Sequence, residues 1–524
     1  MTKGRILAVC LIWLGIVGLG AVAWKVLVAP ARERAAAEAL AERQRLQEEA
    51  EARQRAERIR ATRDPSRYDA SVTLALDSFS GYAALRSDRF RQELADRGVR
   101  LTLKDDGADY AARLAALADG TAPVAAFTVD ALLKHSHLRG DSPAVIVAVL
   151  DESRGGDAIL AYRDAVPSLD ALNDPAARFV LVPDSPSETL ARVAMARFDL
   201  SDLPPDPFEP VADAAEVFRA YQNSPASAKR AYVAWEPQVS KMLENPAMHR
   251  LFDSGVRGYI LDVLVVSRDY LRKNPETVRK VLEAYFTANH VFRKDYSALV
   301  AADAVAAGEP LTPEQADAVA DGVWWHNAAE NYARFGLSED RDARRVQYLE
   351  DAVTNIAGVL RRTGATDGDS SGGDAAAFFY SGALKALRDE GFSPGPGEET
   401  VRNDVAELPP LPEEGWAGLL PIGELDLPDL SFAPGRSALS NRSERVLDNL
   451  AETLADFPTA YVTVRGNAAR RGDPEANRLL AEARAQAAVE YLVRAGVSPN
   501  RLRAEGGEPS GSRTVSVLVG RPAY

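Results

Sequence analysis

Residues 72–82, VTLALDSFSGY, decide how the central part of the chain folds. The first five are mostly apolar or β-branched and predict a buried strand over 72–76, followed by a polar loop and a helix over 82–96. A second helix is predicted over 110–117. Further strands are predicted at 99–103, 122–129, 144–150, 158–162 and 179–182. Strands separated by helices indicate βαβ units and largely parallel sheets, so we predict an α/β fold.

Polar loops follow three of these strands, at the edge where open α/β sheets bind ligands. They cover residues 77–82, 151–157 and 183–189. The third loop opens a helix, with Pro186 in its first turn and Ser185 as the expected cap, supported by Glu188 three residues on. Free N–H groups at such a helix start can bind an anion or a carbonyl group, and plain capping is the alternative.

Composition excludes several classes of protein. A chain of 524 residues that is 46% hydrophobic predicts two or three domains. A net charge of −14 argues against a nucleic-acid partner. The single cysteine, Cys10, excludes an intrachain disulfide, and the scattered histidines give no metal-ligand spacing. Because no nucleophile triad or phosphate-binding loop is found either, we predict no cofactor, no metal and no enzymatic activity.

The N-terminus predicts the compartment. Residues 6–24 are 19 residues without a charge, and Lys3 and Arg5 precede them. We predict a single-pass inner-membrane anchor over 1–30, with the bulk of the chain in the periplasm. A signal peptide cleaved after the sequence at 21–23 is the alternative. Residues 31–66, rich in Ala, Glu and Arg, predict a helical stalk.

The central segments together resemble the periplasmic substrate-binding proteins of the nitrate, sulfonate, taurine and thiamine-pyrimidine type. The resemblance covers about 71–392 and rests on VTLALDSFSGY, VLDESRGGDAILA, YVAWEPQVSKML and WWHNAAENYARFGL. It implies two lobes, one from about 70–155 and 255–390 and the other from about 156–254, that close on a sulfonate, nitrate or pyrimidine-like ligand beside an ABC permease. Arg154 is the only cationic residue in the cleft loops, which leaves an anionic ligand unassured.

The resemblance also implies which residues line the cleft. On the first-lobe side these are Asp77, Ser78, Phe79 and Tyr82, at the crossover Asp151, Glu152, Ser153 and Asp157, and on the second-lobe side Ser185, Ser187, Trp235 and Glu236.

A proline-rich segment, 393–428, predicts a semi-rigid spacer before a C-terminal module over 429–524. Strands are predicted at 430–432, 461–464 and 515–519, with helices at 440–457 and 474–495, a βαβαβ layout. This module resembles the OmpA-like peptidoglycan-binding domain, on YVTVRGN and ANRLLAEARAQAAVEYLVRAGVSPNRL. The resemblance implies wall contacts from Asn467, Asn477 and Arg484. Ala469 stands where the family has an aspartate, so we expect weakened binding.

The full prediction is therefore a transmembrane anchor, a helical stalk, a two-lobed binding-protein fold and a small OmpA-like domain. Its expected function is to bind a solute in the periplasm and to link transport or sensing to the cell wall. The alternative is an envelope scaffold, in which an empty receptor fold and a degenerate OmpA-like domain bind other proteins.

Overall fold

The computed structural model describes residues 67–338, 346–402, 408–468, 472–509 and 514–522. The predicted membrane anchor and stalk lie outside these residues. Within the described ranges, no helix combines the length and the apolar character that crossing a bilayer requires.

The first lobe is built on a six-stranded sheet with the order β11-β4-β10-β3-β1-β2. Strands β1 to β3 run parallel, while β10 is antiparallel to both β3 and β4, and β11 is antiparallel to β4. The strands are β1 (Ala70–Leu76), β2 (Val99–Asp105), β3 (Val124–Thr128), β4 (Ala144–Ser153), β10 (Leu261–Ser267) and β11 (Val323–Trp325). Its helices are α1 (Ala83–Arg86), α2 (Asp88–Asp96), α3 (Tyr110–Asp119), α4 (Val129–Arg139), α8 (Arg268–Lys273), α9 (Pro275–Phe292), α10 (Tyr296–Ala307), α11 (Pro313–Asp321), α12 (Ala328–Arg334), α13 (Leu349–Arg362) and α14 (Gly382–Asp389).

The second lobe is built on a five-stranded sheet with the order β7-β6-β8-β5-β9. Its strands are β5 (Asp157–Tyr162), β6 (Arg178–Leu181), β7 (Phe208–Pro210), β8 (Arg230–Trp235) and β9 (Met248–Asp253), and its helices are α5 (Pro186–Arg197), α6 (Ala214–Asn223) and α7 (Gln238–Leu243). Two crossover segments, 154–156 and 254–260, join the lobes. The predicted two-lobed α/β architecture is confirmed.

Two details of the prediction are wrong. The helix expected over 82–96 is divided into α1 and α2, because Ser87 adopts extended backbone and its side chain accepts a hydrogen bond from the Phe90 amide to cap α2. The sheets are also less parallel than expected: β5 is antiparallel to both β8 and β9. Each strand that follows a crossover enters its sheet from the cleft side, which reverses its direction relative to its neighbours.

The C-terminal domain contains a four-stranded sheet with the order β12-β15-β13-β14. Its strands are β12 (Leu420–Glu424), β13 (Tyr461–Ala468), β14 (Leu502–Pro509) and β15 (Val515–Arg521), and its helices are α15 (Glu413–Ala417), α16 (Asn441–Ala455) and α17 (Pro474–Arg494). Helix α17 begins at a proline and is followed by Gly496 with φ 98°, as the sequence pattern predicts. Residues 430–432, predicted as a strand, form only an isolated bridge between Phe432 and Leu439.

The proline-rich spacer contains structure that the sequence did not predict. Strand β12 lies at the edge of the C-terminal sheet, paired only with β15, where Pro421 is tolerated because an edge strand does not need every N–H. Trp416 packs edge-on against Tyr461, with ring centroids 5.5 Å apart. This end of the spacer is therefore part of the C-terminal domain.

Candidate ligand-binding cleft

The loop after β1 divides into a structural half and a cleft half. Asp77 accepts hydrogen bonds from the Phe79 amide and from the fully buried guanidinium of Arg113, both at 2.9 Å. Its carboxylate therefore holds the loop to α3, and Ser78 is exposed to solvent. Phe79 packs edge-on against Tyr82 at 5.2 Å. Of the four predicted first-lobe residues, Tyr82 points deepest into the fold.

In the turn at residues 80–82, the Gly81 backbone lies against Asp151 and the Tyr82 phenol contacts Asp262. A Cβ at Gly81 would lie 2.7 Å from Asp151 Oδ2, so only glycine fits at this close approach. The Tyr82 hydroxyl donates a hydrogen bond to Asp262 Oδ1. Asp262 was not predicted as a site residue.

Asp151 and Asp262 form a buried pair of carboxyl groups. They are directly opposite each other in the antiparallel pairing of β4 with β10, and both are at most 1% exposed. Neither carboxylate oxygen of Asp151 has a hydrogen-bond donor, and Asp262 Oδ2 has none. Burial raises the pKa of Asp151 to about 8 and raises that of Asp262 well above its ordinary value, with each carboxyl acting on the other. A proton shared between the two satisfies one oxygen of each.

Asp157 lies at the start of the second lobe, where β4 has just crossed over. Ser153 Oγ donates to Asp157 Oδ2 at 2.6 Å, and the hydroxyl of Ser254, in the other crossover segment, lies 2.8 Å from Ser153 Oγ. Asp157 Oδ1 has no hydrogen-bond partner. Burial raises the pKa of Asp157 to about 6, and the charges of Asp130 and Glu236 add to the increase.

Asp130 completes the cleft, and sequence reasoning missed it. It stands at the start of α4, and its Oδ2 accepts a hydrogen bond of 2.6 Å from Thr189 Oγ1 in the second lobe. Its Oδ1 has no partner, and burial raises the pKa of Asp130. The available signal was positional, because the segment Thr128-Val129-Asp130 follows β3 at the same sheet edge as the three loops that were considered.

Asp130, Asp151, Asp157 and Asp262, hereafter the four-aspartate cluster, act on one another electrostatically. Asp151 and Asp262 are neighbours. Asp130 raises the pKa of both Asp262 and Asp157, and Asp157 raises the pKa of Asp151. The largest charge effects on these four pKa values come from other carboxyl groups. No group of three or more Asp, Glu, His or Cys in the described ranges has the arrangement of a metal site.

Ion pairs at the rim hold the lobes together. Asp184, in the loop after β6, accepts hydrogen bonds from Lys134 at 2.8 Å and His135 at 2.7 Å, both on α4 of the first lobe. Burial alone would raise the pKa of Asp184, but the hydrogen bonds from His135 and Lys134 lower it to about 2. Asp184 is therefore ionised at neutral pH, which supports the closed arrangement.

Of the four second-lobe residues predicted from the sequence, two have side chains that hold local structure and two do not. Ser185 does not cap α5, because its hydroxyl donates to the Val182 carbonyl at 2.6 Å. Ser187 is fully buried, and its Oγ has no partner. Trp235 is half-buried beside Asp157 in the β5–β8 pairing. Glu236 accepts hydrogen bonds from the amide and hydroxyl of Ser240, both at 3.0 Å, so its carboxylate holds the start of α7.

Glu152 is held by hydrogen bonds within the protein and does not belong to the four-aspartate cluster. It is 1% exposed and accepts hydrogen bonds from Arg334 at 2.7 Å, Arg154 at 2.9 Å and the Gly258 amide at 2.7 Å. Burial would raise the pKa of Glu152, but these two arginines lower it to about 2. Arg154 in turn lies over the Trp324 ring at 4.3 Å. The one cation in the predicted cleft loops is thus already engaged by the protein.

The C-terminal candidates lie around one face of α17. Asn477 and Arg484 are seven residues apart and share that face with Ala481, against whose carbonyl Gly466 packs so closely that an added Cβ would lie 1.9 Å away. Asn467 follows Gly466 and donates from Nδ2 to Ser516 Oγ at 3.2 Å. Arg484 lies over the Phe432 ring at 5.0 Å and donates from Nε to the Arg436 carbonyl at 3.1 Å. Residue 469 lies outside the described residues.

The C-terminal domain packs against the second lobe and one crossover segment. Phe457 lies between Phe198 and Phe252, with ring centroids 6.1 and 6.2 Å away. Asp456 accepts a hydrogen bond of 2.8 Å from the hydroxyl of Tyr259, which lies in the crossover segment 254–260. The domain that resembles a wall-binding module is therefore in direct contact with the element that joins the lobes.

The C-terminal domain is similar in sequence to known proteins. Residues 431–514 match the OmpA family, which confirms the predicted resemblance. The chain is 41% identical over 72 residues to a peptidoglycan-associated lipoprotein of Rhizobium meliloti (strain 1021), a match that covers 14% of this chain and 41% of that protein.

Solved structures similar to the preceding part of the chain include two sulfonate-binding proteins. The alkanesulfonate-binding protein SsuA of Xanthomonas axonopodis pv. citri has 14% identity and a TM-score of 0.43, covering 57% of this chain and 94% of its own. The periplasmic aliphatic sulphonate binding protein SsuA of Escherichia coli has 14% identity and a TM-score of 0.44, covering 59% and 92%. The described residues therefore combine two α/β lobes with a C-terminal segment that matches the OmpA family.

Proposed function

We propose that the protein is a solute-binding protein of the bacterial envelope, which closes two lobes on a small ligand and is held at the cell wall by its C-terminal domain. The observation that carries this proposal is the set of buried polar atoms without partners between the lobes. Buried polar groups in native proteins are almost always hydrogen-bonded, and an orphaned one costs about 1–3 kcal/mol. Within the cleft, such atoms occur on Asp130, Asp151, Asp157 and Asp262. A ligand enclosed there would supply the missing partners.

The contacts between the lobes support a closing motion. The Thr189–Asp130 hydrogen bond and the rim contacts of Asp184 with Lys134 and His135 all join residues of different lobes. These contacts exist only when the lobes meet, so they stabilise the closed state without touching a ligand. A ligand that binds the closed state better shifts the equilibrium toward it.

Distance measurement between spin labels tests this proposal. Leu138 is exposed on α4 in the first lobe, and Asp206 is exposed in the second. The double variant Leu138→Cys and Asp206→Cys, made with Cys10→Ser to remove the one native thiol, is examined as isolated and after a cycle of unfolding, dialysis and refolding. We expect a short, narrow distance distribution as isolated and a longer or broader one after the ligand is removed. Identical distributions would argue against a receptor.

The remaining parts of the proposal are the envelope location and its partners. The uncharged stretch at 6–24 would anchor the chain in the inner membrane, with the two-lobed domain in the periplasm beside an ABC permease or another envelope protein. The OmpA-family match and the similarity to a peptidoglycan-associated lipoprotein support attachment to peptidoglycan.

Sedimentation with purified peptidoglycan tests the wall attachment. For the full chain in detergent, Arg484→Ala should lower the affinity at least tenfold, since a charge-assisted hydrogen bond contributes about 1.5–3 kcal/mol. Ala469→Asp should raise it by a similar factor by restoring the family's carboxylate. Arg494→Ala, at an exposed position near the end of the same helix, is the matched control. Equal sedimentation of the parent chain, Arg484→Ala and Ala469→Asp would show that this face of α17 does not bind the wall.

A scaffold is the second candidate, and the interface around Phe457 and Asp456 favours it. A receptor whose wall-binding domain is packed on its own crossover segment is also a rigid platform for other proteins. In that case the two distance distributions would coincide, and no small molecule would accompany the protein.

A further inference from the structure

We infer that the cleft binds a small organic cation that carries at least two N–H donors, such as an amine, amidine or guanidine, and not a sulfonate or nitrate. This inference rests on the proposed function, because it names the ligand class of the same cleft. It goes against the sulfonate and nitrate that the sequence resemblance implied, though not against its pyrimidine-like ligands.

The first support is the geometry of the four-aspartate cluster. Thr128, Asp262 and Asp151 are directly paired across β3, β10 and β4, so their side chains share one face of the first-lobe sheet. Asp130 comes from the start of α4 beside this row, and Asp157 comes from the second lobe. Asp151, Asp157 and Asp262 also lie within three residues of the two crossover segments, so buried carboxyl groups of both lobes flank the junction where a ligand enclosed between the lobes would lie.

The second support is the inventory of atoms without partners. Asp151 has two such oxygens, and Asp130, Asp157 and Asp262 have one each. These oxygens are acceptors once the carboxyl groups are ionised, as they become when a cation displaces their protons, so the partners missing in the ligand-bound state are donors. A proton shared by Asp151 and Asp262 accounts for one oxygen on each and leaves Asp130, Asp157 and the second oxygen of Asp151 unpaired. The Thr128 hydroxyl, 2% exposed, lies in the same row and interacts with Asp130.

The third support is that the basic residues described near the cleft are already paired with carboxylates and do not offer a positive charge to an anionic ligand. Lys134 and His135 are paired with Asp184, and Arg154 is paired with Glu152. Arg113 is fully buried between Asp77 and Asp106. An anion in the cleft would therefore meet buried carboxyl groups, while each of these four basic residues is already paired with a carboxylate of the protein. A cation meets complementary charge in a site of low dielectric, where such an interaction is strong.

Affinity should depend on pH in a defined direction. Burial raises the pKa of Asp157 to about 6 and that of Asp151 to about 8, so the empty cleft holds protons at neutral pH. A cation that pairs with these carboxylates displaces the protons, and its affinity rises with pH between 6 and 8. The acidic and phenolic groups that face the cluster are Glu152 and Asp157 beside Asp151, Glu236 beside Asp157, Asp184 and Glu188 beside Asp130, Asp77 and Tyr82 beside Asp262, and Tyr110 and Tyr285 beside the same carboxyl groups. The basic groups behind them are paired with those acids: Arg113 with Asp77, Lys134 and His135 with Asp184, and Arg154 and Arg334 with Glu152. None of them reverses that direction.

The test uses the full chain and two measurements. Native mass spectrometry of the protein as isolated, followed by mass identification of the released molecule, gives the charge class of any bound ligand. Thermal unfolding at pH 6 and pH 8 then compares agmatine and putrescine with ethanesulfonate and nitrate. We expect a released molecule bearing amine, amidine or guanidine groups, and a rise in Tm with agmatine or putrescine that is larger at pH 8.

Variants locate the effect. Asp151→Asn and Asp157→Asn should each weaken cation binding at least tenfold and flatten its pH dependence. The matched control is Glu283→Gln, which removes a carboxylate that pairs with Arg97 at 3.0 Å outside the cleft and should leave binding unchanged.

The outcomes separate this inference from the proposed function. Release of an anion, or stabilisation by ethanesulfonate or nitrate, would overturn the cation inference and leave the solute-binding function standing. Absence of any released molecule together with no Tm shift from any probe would overturn both. Cation binding that survives both Asp151→Asn and Asp157→Asn would place the cation elsewhere and overturn the assignment of this site.

Discussion

Replacing Asp157 with asparagine should stabilise the ligand-free protein at neutral pH. Burial holds the pKa of Asp157 at about 6 in the folded chain, against 3.8 for an ordinary aspartate. At pH values between these two, the unfolded chain loses the proton while the folded chain keeps it, so the folded state loses stability as the pH rises. Above pH 6 the full penalty is present. A difference of about 2 pKa units corresponds to about 3 kcal/mol.

The asparagine removes this penalty while keeping the shape of the side chain and an oxygen that can accept from Ser153. We therefore expect the Tm of Asp157→Asn to exceed that of the parent chain at pH 7–8 by roughly 3 °C, and the gain to shrink toward zero near pH 4. Thermal unfolding of the full chain across this pH range, after ligand removal, measures it.

The control for that series is Glu283→Gln, which removes an ion pair outside the cleft. Its effect on Tm should be small and should lack the rise between pH 4 and 6. If Asp157→Asn lowers the Tm equally at every pH, Asp157 is a satisfied structural carboxylate, and the reasoning about the four-aspartate cluster fails.

Two further substitutions test the contacts around the cleft. Phe457→Ala removes a ring that is 4% exposed between the C-terminal domain and the second lobe. The substitution should lower the free energy of unfolding by about 3–5 kcal/mol and increase protease cleavage within 393–428. The control Val493→Ala, at a 37% exposed position, should change it by less than about 0.5 kcal/mol. Unchanged cleavage in Phe457→Ala would show that the ring does not hold the two together. Thr189→Val removes the hydroxyl that donates a hydrogen bond to Asp130 across the lobes. Losing a hydrogen bond of about 1.5 kcal/mol should lower the ratio of closed to open molecules about tenfold in the spin-label measurement. Thr354→Val, at an exposed position, is the control. An unchanged ratio would mean that this bridge does not stabilise closure.

Local pattern predicted much of the fold. Residues 72–76 showed the strand that became β1, and a proline at the start with a glycine after the end defined α17. Strand β12 was missed because its residues read as a proline-rich spacer, and its role depends on pairing with β15, far along the chain. The direction of β5 was missed for a similar reason, because it follows from how the chain crosses between lobes.

The sequence analysis named Asp151, Ser153 and Asp157 because they follow the strand predicted at 144–150. In the structure Asp151 and Ser153 belong to β4 itself, and Asp157 begins β5. Asp262 was missed because its neighbours in β10, LDVLVVS, read as ordinary core, and only the register with β4 places it opposite Asp151.

Two of the predicted ligand residues were structural for a reason that local sequence does not show. Glu152 looks equivalent to Asp151 in the sequence, yet it receives Arg334 from a distant helix. Glu236 holds α7 through Ser240. Which carboxylates keep oxygens free for a ligand is decided by long-range partners.

A crystal structure of the full chain, purified without denaturation and crystallised at pH 8, tests the central claim most directly. We predict density for a compact molecule between the lobes, with atoms about 2.7–3.2 Å from oxygens of Asp151, Asp157 and Asp262. Closed lobes whose four carboxyl groups contact only each other and the protein, with no molecule between them, would contradict the account.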